Sequence, residues 1–247
     1  MKNETSKIVL FALTGFGNSV LDSLQDILPE DNLLVITRQE KGPFPYYPCA
    51  DLSTVLEKKR VRCLFDDITD KILQKEIGQF EPDFIIAATY HKLIPESIFS
   101  IAKKCSVNIH PGLLPNYRGP QPTKWAILFG EKYSGISIHQ LTSDFDSGEI
   151  YWQEKCEILQ KTDGELREEL ADLAGNCVIK FIQKFNSRKI EVIKQGENKG
   201  SYHPKIQSEK GIEFLKKMKF PTDRVVRAIT PWPGRDYLKD IDYELSK

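Results

Sequence analysis

The first 37 residues set the strongest constraint on the fold. Lys7-Ile-Val-Leu-Phe-Ala-Leu-Thr14 is a short apolar run ending at Gly15-Phe16-Gly17-Asn18, the pattern of a buried strand entering a tight turn. Val20, Leu21, Leu24 and Ile27 then recur at helical spacing, and Leu33-Leu-Val-Ile-Thr37 is a second apolar run. Strand, helix and strand at this spacing make a parallel βαβ unit. The alternation continues. Strands are expected at 62–65, 83–90 and 105–110, with helices over 70–80, 93–99 and 122–129. Ser134-Gly-Ile-Ser-Ile-His-Gln-Leu141 alternates in the manner of a half-buried strand, and 149–158 is another strand candidate. Residues 163–185 read as one long amphipathic helix starting near Thr162.

This pattern predicts an α/β fold, a Rossmann-like, mostly parallel open sheet with helices on both faces. The character of the chain changes near residue 192, where Gly, Lys, Asn and Ser cluster and prolines then punctuate the sequence. Residues 1–192 are therefore expected to form the main domain. Residues 193–247 are expected to form a small C-terminal extension with strands and a short helix, including one helix over 220–229 capped by Thr222.

Composition removes several function classes. Thirty-five Lys and Arg balance thirty-five Asp and Glu, so no dominant nucleic-acid-binding surface is expected. The longest apolar runs are too short to span a bilayer. Met1 to Lys7 is polar and lacks a signal-peptide core, so a cytoplasmic location is expected. The five cysteines are scattered without a Cys-x-x-Cys pair, which disfavours a disulfide framework and a structural zinc site.

The chemistry concentrates in two places. In Asn108-Ile-His-Pro-Gly-Leu-Leu-Pro-Asn-Tyr-Arg-Gly119, strand alternation puts Asn108 and His110 on one face, and Pro111-Gly112 stops the strand just after them. Both groups then sit at a strand's carboxyl end, the edge where open parallel sheets bind ligands. The second place is the acidic, turn-rich loop Asp144-Phe-Asp-Ser-Gly-Glu149. It is not an EF-hand, whose closing Glu is missing, and His110 with Asp146 alone is too small a ligand set for a metal. Taken singly, neither feature names a reaction. The Pro-rich stretch Lys41-Gly-Pro-Phe-Pro-Tyr-Tyr-Pro48 is either a packed surface loop or an aromatic flap facing a substrate.

Together, Asn108-x-His110-Pro-Gly-Leu-Leu-Pro115, Tyr117-Arg-Gly119, Gly135 and Asp146-Ser-Gly148 resemble the signature of the folate-dependent formyltransferases over about residues 7 to 185. Weaker likeness continues through Ser201–Ile206 and Arg227–Pro233. The resemblance implies Asn108, His110 and Asp146 as the catalytic triad. It implies 10-formyltetrahydrofolate as co-substrate, with no metal. The pterin would be held by the loop carrying Ala88, Tyr90, His91, Leu93 and Ile94 and, on the other side, by Ser143 and Asp144. Thr14, Gly15 and Phe16 stand where a substrate phosphate binds in the glycinamide ribonucleotide enzyme of the family.

The look of the chain is closest to the nucleotide-sugar N-formyltransferases. That likeness implies formylation of a nucleoside-diphosphate amino sugar such as dTDP-4-amino-4,6-dideoxyglucose, as used in O-antigen and lipopolysaccharide biosynthesis, by direct attack through a tetrahedral intermediate. Tyr46, Tyr47 and Trp232 offer flat faces for base or hexose. Lys92 and Arg118, with Arg38 and Lys41, offer charge for a pyrophosphate. A homodimer built through the extension, no nucleic-acid partner and no membrane partner are also implied. The alternatives are a methionyl-tRNA formyltransferase-like enzyme, a glycinamide ribonucleotide formyltransferase and a formyltetrahydrofolate hydrolase.

Overall fold

Strand β1 (Ile8–Ala12) is buried along its whole length because its two faces serve two different cores. Ile8, Leu10 and Ala12 point into one cluster, while Val9 and Phe11 point into another. A strand covered on both sides has no polar face, which is why the sequence shows a continuous apolar run there. The computed structural model describes residues 6–38, 47–66, 70–196, 200–241 and 243.

Seven strands form one open sheet in the order β3-β2-β1-β4-β5-β6-β7. These are β1, β2 (Leu33–Thr37), β3 (Arg62–Phe65), β4 (Phe84–Ala88), β5 (Cys105–His110), β6 (Tyr133–Gln140) and β7 (Ile150–Glu157). The first five in chain order pair in parallel, and β6 and β7 add antiparallel. The chain steps outward from β1 to β3 and then returns to β4 on the other side of β1. That reversal opens a crevice at the carboxyl ends of the strands.

Helices cover both faces. On one side lie α1 (Phe16–Gln25), α2 (Leu52–Lys59) and the long α6 (Asp163–Asn186); on the other lie α3 (Asp70–Phe80) and α4 (Glu96–Phe99). Helix α5 (Pro122–Phe129) follows β5 and belongs to the larger core. Helix α6 starts where its capping box predicts. Thr162 Oγ1 accepts from the Glu165 N–H at 3.3 Å, and Glu165 Oε2 accepts from the Thr162 N–H at 2.8 Å. Helices α1 and α6 approach closely at Gly175, where a Cβ would stand 2.8 Å from the Ser19 carbonyl oxygen.

The extension differs from the expectation of strands. It contains three helices, α7 (Glu209–Met218), α8 (Thr222–Ala228) and α9 (Asp236–Asp240), and among the described residues its strand-like pairing is limited to two isolated bridges, Ile193 with Ile150 and Tyr202 with Arg118. Helix α8 begins at Thr222, with Pro221 rather than Thr222 in the cap position. The apolar side chains of this segment are few and separated, which suits helices laid against an existing surface. Ile206, Leu215, Phe220, Val225, Ile229 and Leu238 all join the larger core.

A buried charge fastens this segment. Lys124 and Asp163 are both 0% exposed and pair at 2.7 Å. Lys124 Nζ also donates to the carbonyls of Ala228 (3.0 Å) and Trp232 (2.6 Å), and Thr123 Oγ1 donates to Asp163 at 2.5 Å. One ammonium thus ties α5, the start of α6 and the end of α8 together. Removing one member of such a pair strands a buried charge, at a cost of about 3–5 kcal/mol. Lys124→Met is therefore expected to lower the urea midpoint sharply, and the double variant Lys124→Met/Asp163→Leu to recover much of that loss. Equal midpoints for wild type and Lys124→Met would show that the pair carries no stability.

Candidate active site

The carboxyl end of β5 projects Asn108 and His110 to one side, and antiparallel β6 places His139 directly opposite Asn108 and Ser137 opposite His110. The strand stops at Pro111-Gly112, and the loop beyond it is pinned by Ser137. Its hydroxyl donates to the Gly112 carbonyl at 2.6 Å and accepts from the Leu114 N–H at 3.1 Å. Gln153 Nε2 completes the anchor on Ser137 Oγ (2.9 Å) and the Leu114 carbonyl (2.7 Å).

Asp146, on the loop between β6 and β7, enters from the other side. Its Oδ1 accepts from Asn108 Nδ2 at 3.3 Å and lies 3.6 Å from His110 Nδ1 and 3.3 Å from His139 Nε2. Its Oδ2 accepts from the Gly119 N–H at 2.9 Å. Asn108, His110 and Asp146, far apart in sequence, therefore meet around one carboxylate. Two backbone features permit this. Asp146 itself sits at φ +51°. Gly148 passes so close to β6 that a Cβ would stand 2.8 Å from the Gln140 carbonyl carbon.

His110 is buried and doubly constrained. Its Nε2 lies 2.9 Å from the Tyr117 carbonyl, an acceptor, so that nitrogen carries a hydrogen. Its Nδ1 faces Asp146. Burial pushes the imidazole below its ordinary value, with Asp146 pulling upward, His139 downward and the Tyr117 carbonyl upward; the net direction is down. For Asp146, burial works to raise the carboxyl, but His110, His139 and the Gly119 N–H outweigh it and hold it well below the usual carboxylate range. The site thus keeps a permanent carboxylate beside an imidazole that gives up its proton readily.

His139 was not singled out in the sequence. Its Nδ1 lies 2.9 Å from the Gln140 carbonyl, and its Nε2 lies 3.1 Å from Asn108 Nδ2. Depending on its protonation it accepts from the Asn108 amide or donates to Asp146. The available signal was strand alternation, which places His139 at the end of β6, but the pairing partner is invisible without the register. The Asp146 carboxylate also fixes the Asn108 amide with its nitrogen inward, so both amide hydrogens are engaged in this arrangement.

The remaining predicted positions divide into groups. Ala88 ends β4 and is fully buried, and Ile94 is buried in the smaller core, whereas Leu93 is 46% exposed. Tyr90, His91 and Lys92 gather on Asp66. Tyr90 Oη donates to it at 2.9 Å, and His91 Nε2 and Lys92 Nζ lie 3.2 and 3.1 Å away. Ser143 and Asp144 are exposed on the acidic loop, next to Phe145, which is 62% exposed. Leu93 and Phe145 are thus apolar side chains presented to solvent by the two loops assigned to the pterin.

Several substrate expectations need correction. Phe16 is buried in the larger core, so its side chain cannot touch a substrate. Thr14 Oγ1 accepts from the Leu52 N–H at 3.0 Å and is spent on starting α2. The groove of about 610 Å³ beside Gly15 and Tyr47 is lined by Asp22, Asp26, Glu168 and Asp172; among the described residues that line it the one cation, Lys59, is paired with Asp22 at 2.5 Å. Lys92 has its charge matched by Asp66. The Trp232 carbonyl is held by Lys124, whose ammonium lies 5.9 Å from the indole ring, which sets Trp232 in the α5–α8 junction rather than among the groups bonded to Asp146. Tyr46 and Lys41 lie outside the described residues. Arg118 fits better: its Nε is buried without a hydrogen-bond partner among the described residues, on the loop whose Gly119 N–H binds Asp146. Among those residues no group of three or more His, Cys, Asp or Glu could hold a metal ion, and no helix is long and apolar enough to cross a membrane.

The chain belongs to the formyl transferase family, whose sequence profile matches residues 23–182. Among its relatives, the methionyl-tRNA formyltransferase of Mycoplasma capricolum is 29% identical over 92% of this chain and 72% of its own length. That of Campylobacter jejuni is 34% identical over 72% of this chain and 58% of its own length. The chain likewise spans 56% of the relative from Lachnospira eligens. Among solved structures, the N-formyltransferase from Helicobacter canadensis in complex with folinic acid and dTDP-3-aminofucose superposes with a TM-score of 0.71 at 19% identity, covering 90% of this chain and 80% of that one. A 4-N formyltransferase from Francisella tularensis gives 0.63 at 19% identity, covering 93% and 90%. These likenesses establish the shared fold.

The unfolded reference value of histidine is about 6.5. Because burial holds His110 lower in the folded chain, the unfolded state takes up its proton first, and stability falls as the pH drops below that value. His203, also lowered by burial, acts in the same direction. Between about pH 7 and about pH 5, His110→Gln is therefore expected to lose less unfolding free energy than wild type in urea titrations. An identical loss in both proteins would contradict the assignment.

Proposed function

We propose that this chain transfers the formyl group of 10-formyltetrahydrofolate to the amine of a nucleotide-linked amino sugar. The observation that carries the reading is the convergence of Asn108, His110 and Asp146 at the carboxyl end of β5 in a member of the formyl transferase family. Formyl transfer needs an amine to attack the formyl carbon. A C–N bond forms, negative charge builds on the former carbonyl oxygen, and the bond to the folate nitrogen then breaks. The amine loses one proton overall and the folate nitrogen gains one. Fixed donors aimed at the developing oxyanion are the largest expected source of rate. His110 supplies an N–H when protonated at Nδ1. Asn108 supplies the amide hydrogen that His139 Nε2 otherwise accepts. Asp146 stays ionised throughout and stabilises the imidazolium that forms.

The amino-sugar acceptor is supported by the fold likeness to a sugar 3N-formyl transferase and to an N-formyltransferase in complex with dTDP-3-aminofucose, and by the neutral total charge. Methionyl-tRNA is the second reading, favoured by the sequence relatives. An assay with 10-formyltetrahydrofolate and a panel of amines separates them. Product with dTDP-4-amino-4,6-dideoxyglucose or a related nucleotide sugar is expected. Product with methionyl-tRNA alone would reassign the acceptor, and formate release without any amine would mark a hydrolase. Asn108→Ala and His110→Ala are each expected to lower turnover about a hundredfold or more with folding intact; near-normal turnover in either removes that residue from its role. Trapping a formylated protein would replace direct attack with a covalent route.

A further inference from the structure

The segment after α6 does not simply leave the catalytic domain; it returns to the two loops that build the site. Ile193 exchanges backbone hydrogen bonds of 2.8 and 2.9 Å with Ile150 at the start of β7. Two residues on, Gln195 Nε2 donates to the Asp146 carbonyl at 2.9 Å and to the Gly148 carbonyl at 2.7 Å. The other end of that amide, Oε1, is buried and has no hydrogen-bond partner among the described residues. The side chain is therefore held there for its two donors alone. What it grips is a strained point, because Asp146 occupies the left-handed region at φ +51°, which a non-glycine residue holds only when its surroundings enforce it.

The same segment grips the second loop. Ser201 Oγ accepts from the Tyr117 N–H at 2.9 Å, and the Ser201 carbonyl accepts from the Arg118 N–H at 2.8 Å. The His203 N–H donates back to the Arg118 carbonyl at 3.0 Å. Tyr117, at φ +57°, is the residue whose carbonyl bonds His110 Nε2. Ile193, Gln195, Ser201 and His203 thus hold, by separate contacts, the group on each ring nitrogen of His110.

We propose that Gln195 is a positioning residue for formyl transfer: it clamps the backbone on both sides of Ser147 so that the Asp146 carboxylate stays aimed at His110 and Asn108, while Ser201 sets the Tyr117 carbonyl on the opposite ring nitrogen. The inference rests on formyl transfer proceeding through His110 and Asp146, and is independent of which amine is the acceptor.

The test reads His110 directly. The groups facing its ring are Asp146 from the β6–β7 loop, His139 from β6 and the Tyr117 carbonyl from the β5–α5 loop, and Asp146 is the one the Gln195 clamp holds. In the full chain the four histidine rings are titrated by NMR, with assignments from single His→Gln substitutions. Gln195→Met keeps the volume and removes the donors. Slackening the carboxylate removes part of its attraction for the imidazolium, so the His110 midpoint is expected to fall by about half a pH unit or more. In an Asp146→Asn background the same substitution is expected to add nothing.

With 10-formyltetrahydrofolate and dTDP-4-amino-4,6-dideoxyglucose, Gln195→Met is expected to lower kcat about tenfold with KM nearly unchanged. If wild type does not turn over this pair, the acceptor assignment has failed while the titration still decides the clamp. An unmoved His110 midpoint in folded Gln195→Met, or an equal shift with and without Asp146, overturns the proposal. Should Gln195→Met not fold, Ser201→Ala is read in the same titration: a lowered His110 midpoint supports the strap and an unchanged one refutes it.

Discussion

One buried carboxylate organises this molecule's working edge. Asp146 lies almost out of contact with water, and an ionised group there is tolerable only if every lone pair meets a donor or a cation. The Gly119 N–H and the Asn108 amide meet part of that demand, and the imidazoles of His110 and His139 add to it only when protonated. These groups come from β5, the loop after it and β6, so satisfying one charge brings three segments onto the loop that carries Asp146. The same requirement fixes the amide of Asn108 with its nitrogen inward and leaves His110 between opposing influences, burial against its charge and Asp146 for it.

The sheet makes that convergence affordable in geometric terms. Strand β5 is the last parallel strand, and β6 is the first to run the other way. At this change of direction the carboxyl end of one strand lies beside the late residues of its neighbour, so Asn108 and His139 are set face to face by backbone pairing. Everything more distant must be braced by side chains, and the braces are Ser137, Gln153, Gln195 and Ser201. This edge is therefore fixed by backbone pairing near the sheet and by individual side-chain hydrogen bonds farther out.

Much of this was legible in the sequence, for identifiable reasons. The apolar runs of β1, β2 and β4 announce strands buried on both faces, the Thr162-x-x-Glu165 box announces α6, and Pro111-Gly112 announces the end of β5. Asn108, His110 and Asp146 could be grouped because their motif spacing resembles a family's. Helix α2 was missed because it is eight residues long, follows a Pro-rich stretch and buries only Leu52 and Leu56. Helices α7 and α9 were missed because their polarity reflects a surface position and their few apolar residues find partners far away in sequence, as Phe214 does on Trp125 and Phe129. His139 and Gln195 carry no motif; their importance lies in a register and a chain reversal that local pattern does not encode. Phe16 misled in the opposite sense, since a residue beside a glycine turn invites a ligand role while its ring is core.

The distance along the chain between the catalytic loop and its brace has a bearing on how the protein comes into being. Tyr117 and Ser201, which bond each other, are separated by 84 residues. During synthesis from the amino end, the sheet through β5 and the Asn-x-His motif are complete well before the segment that steadies them has emerged. The loop that carries Tyr117 and Arg118 can take its final form only after the chain through Ser201 and His203 has been made and has come back to it.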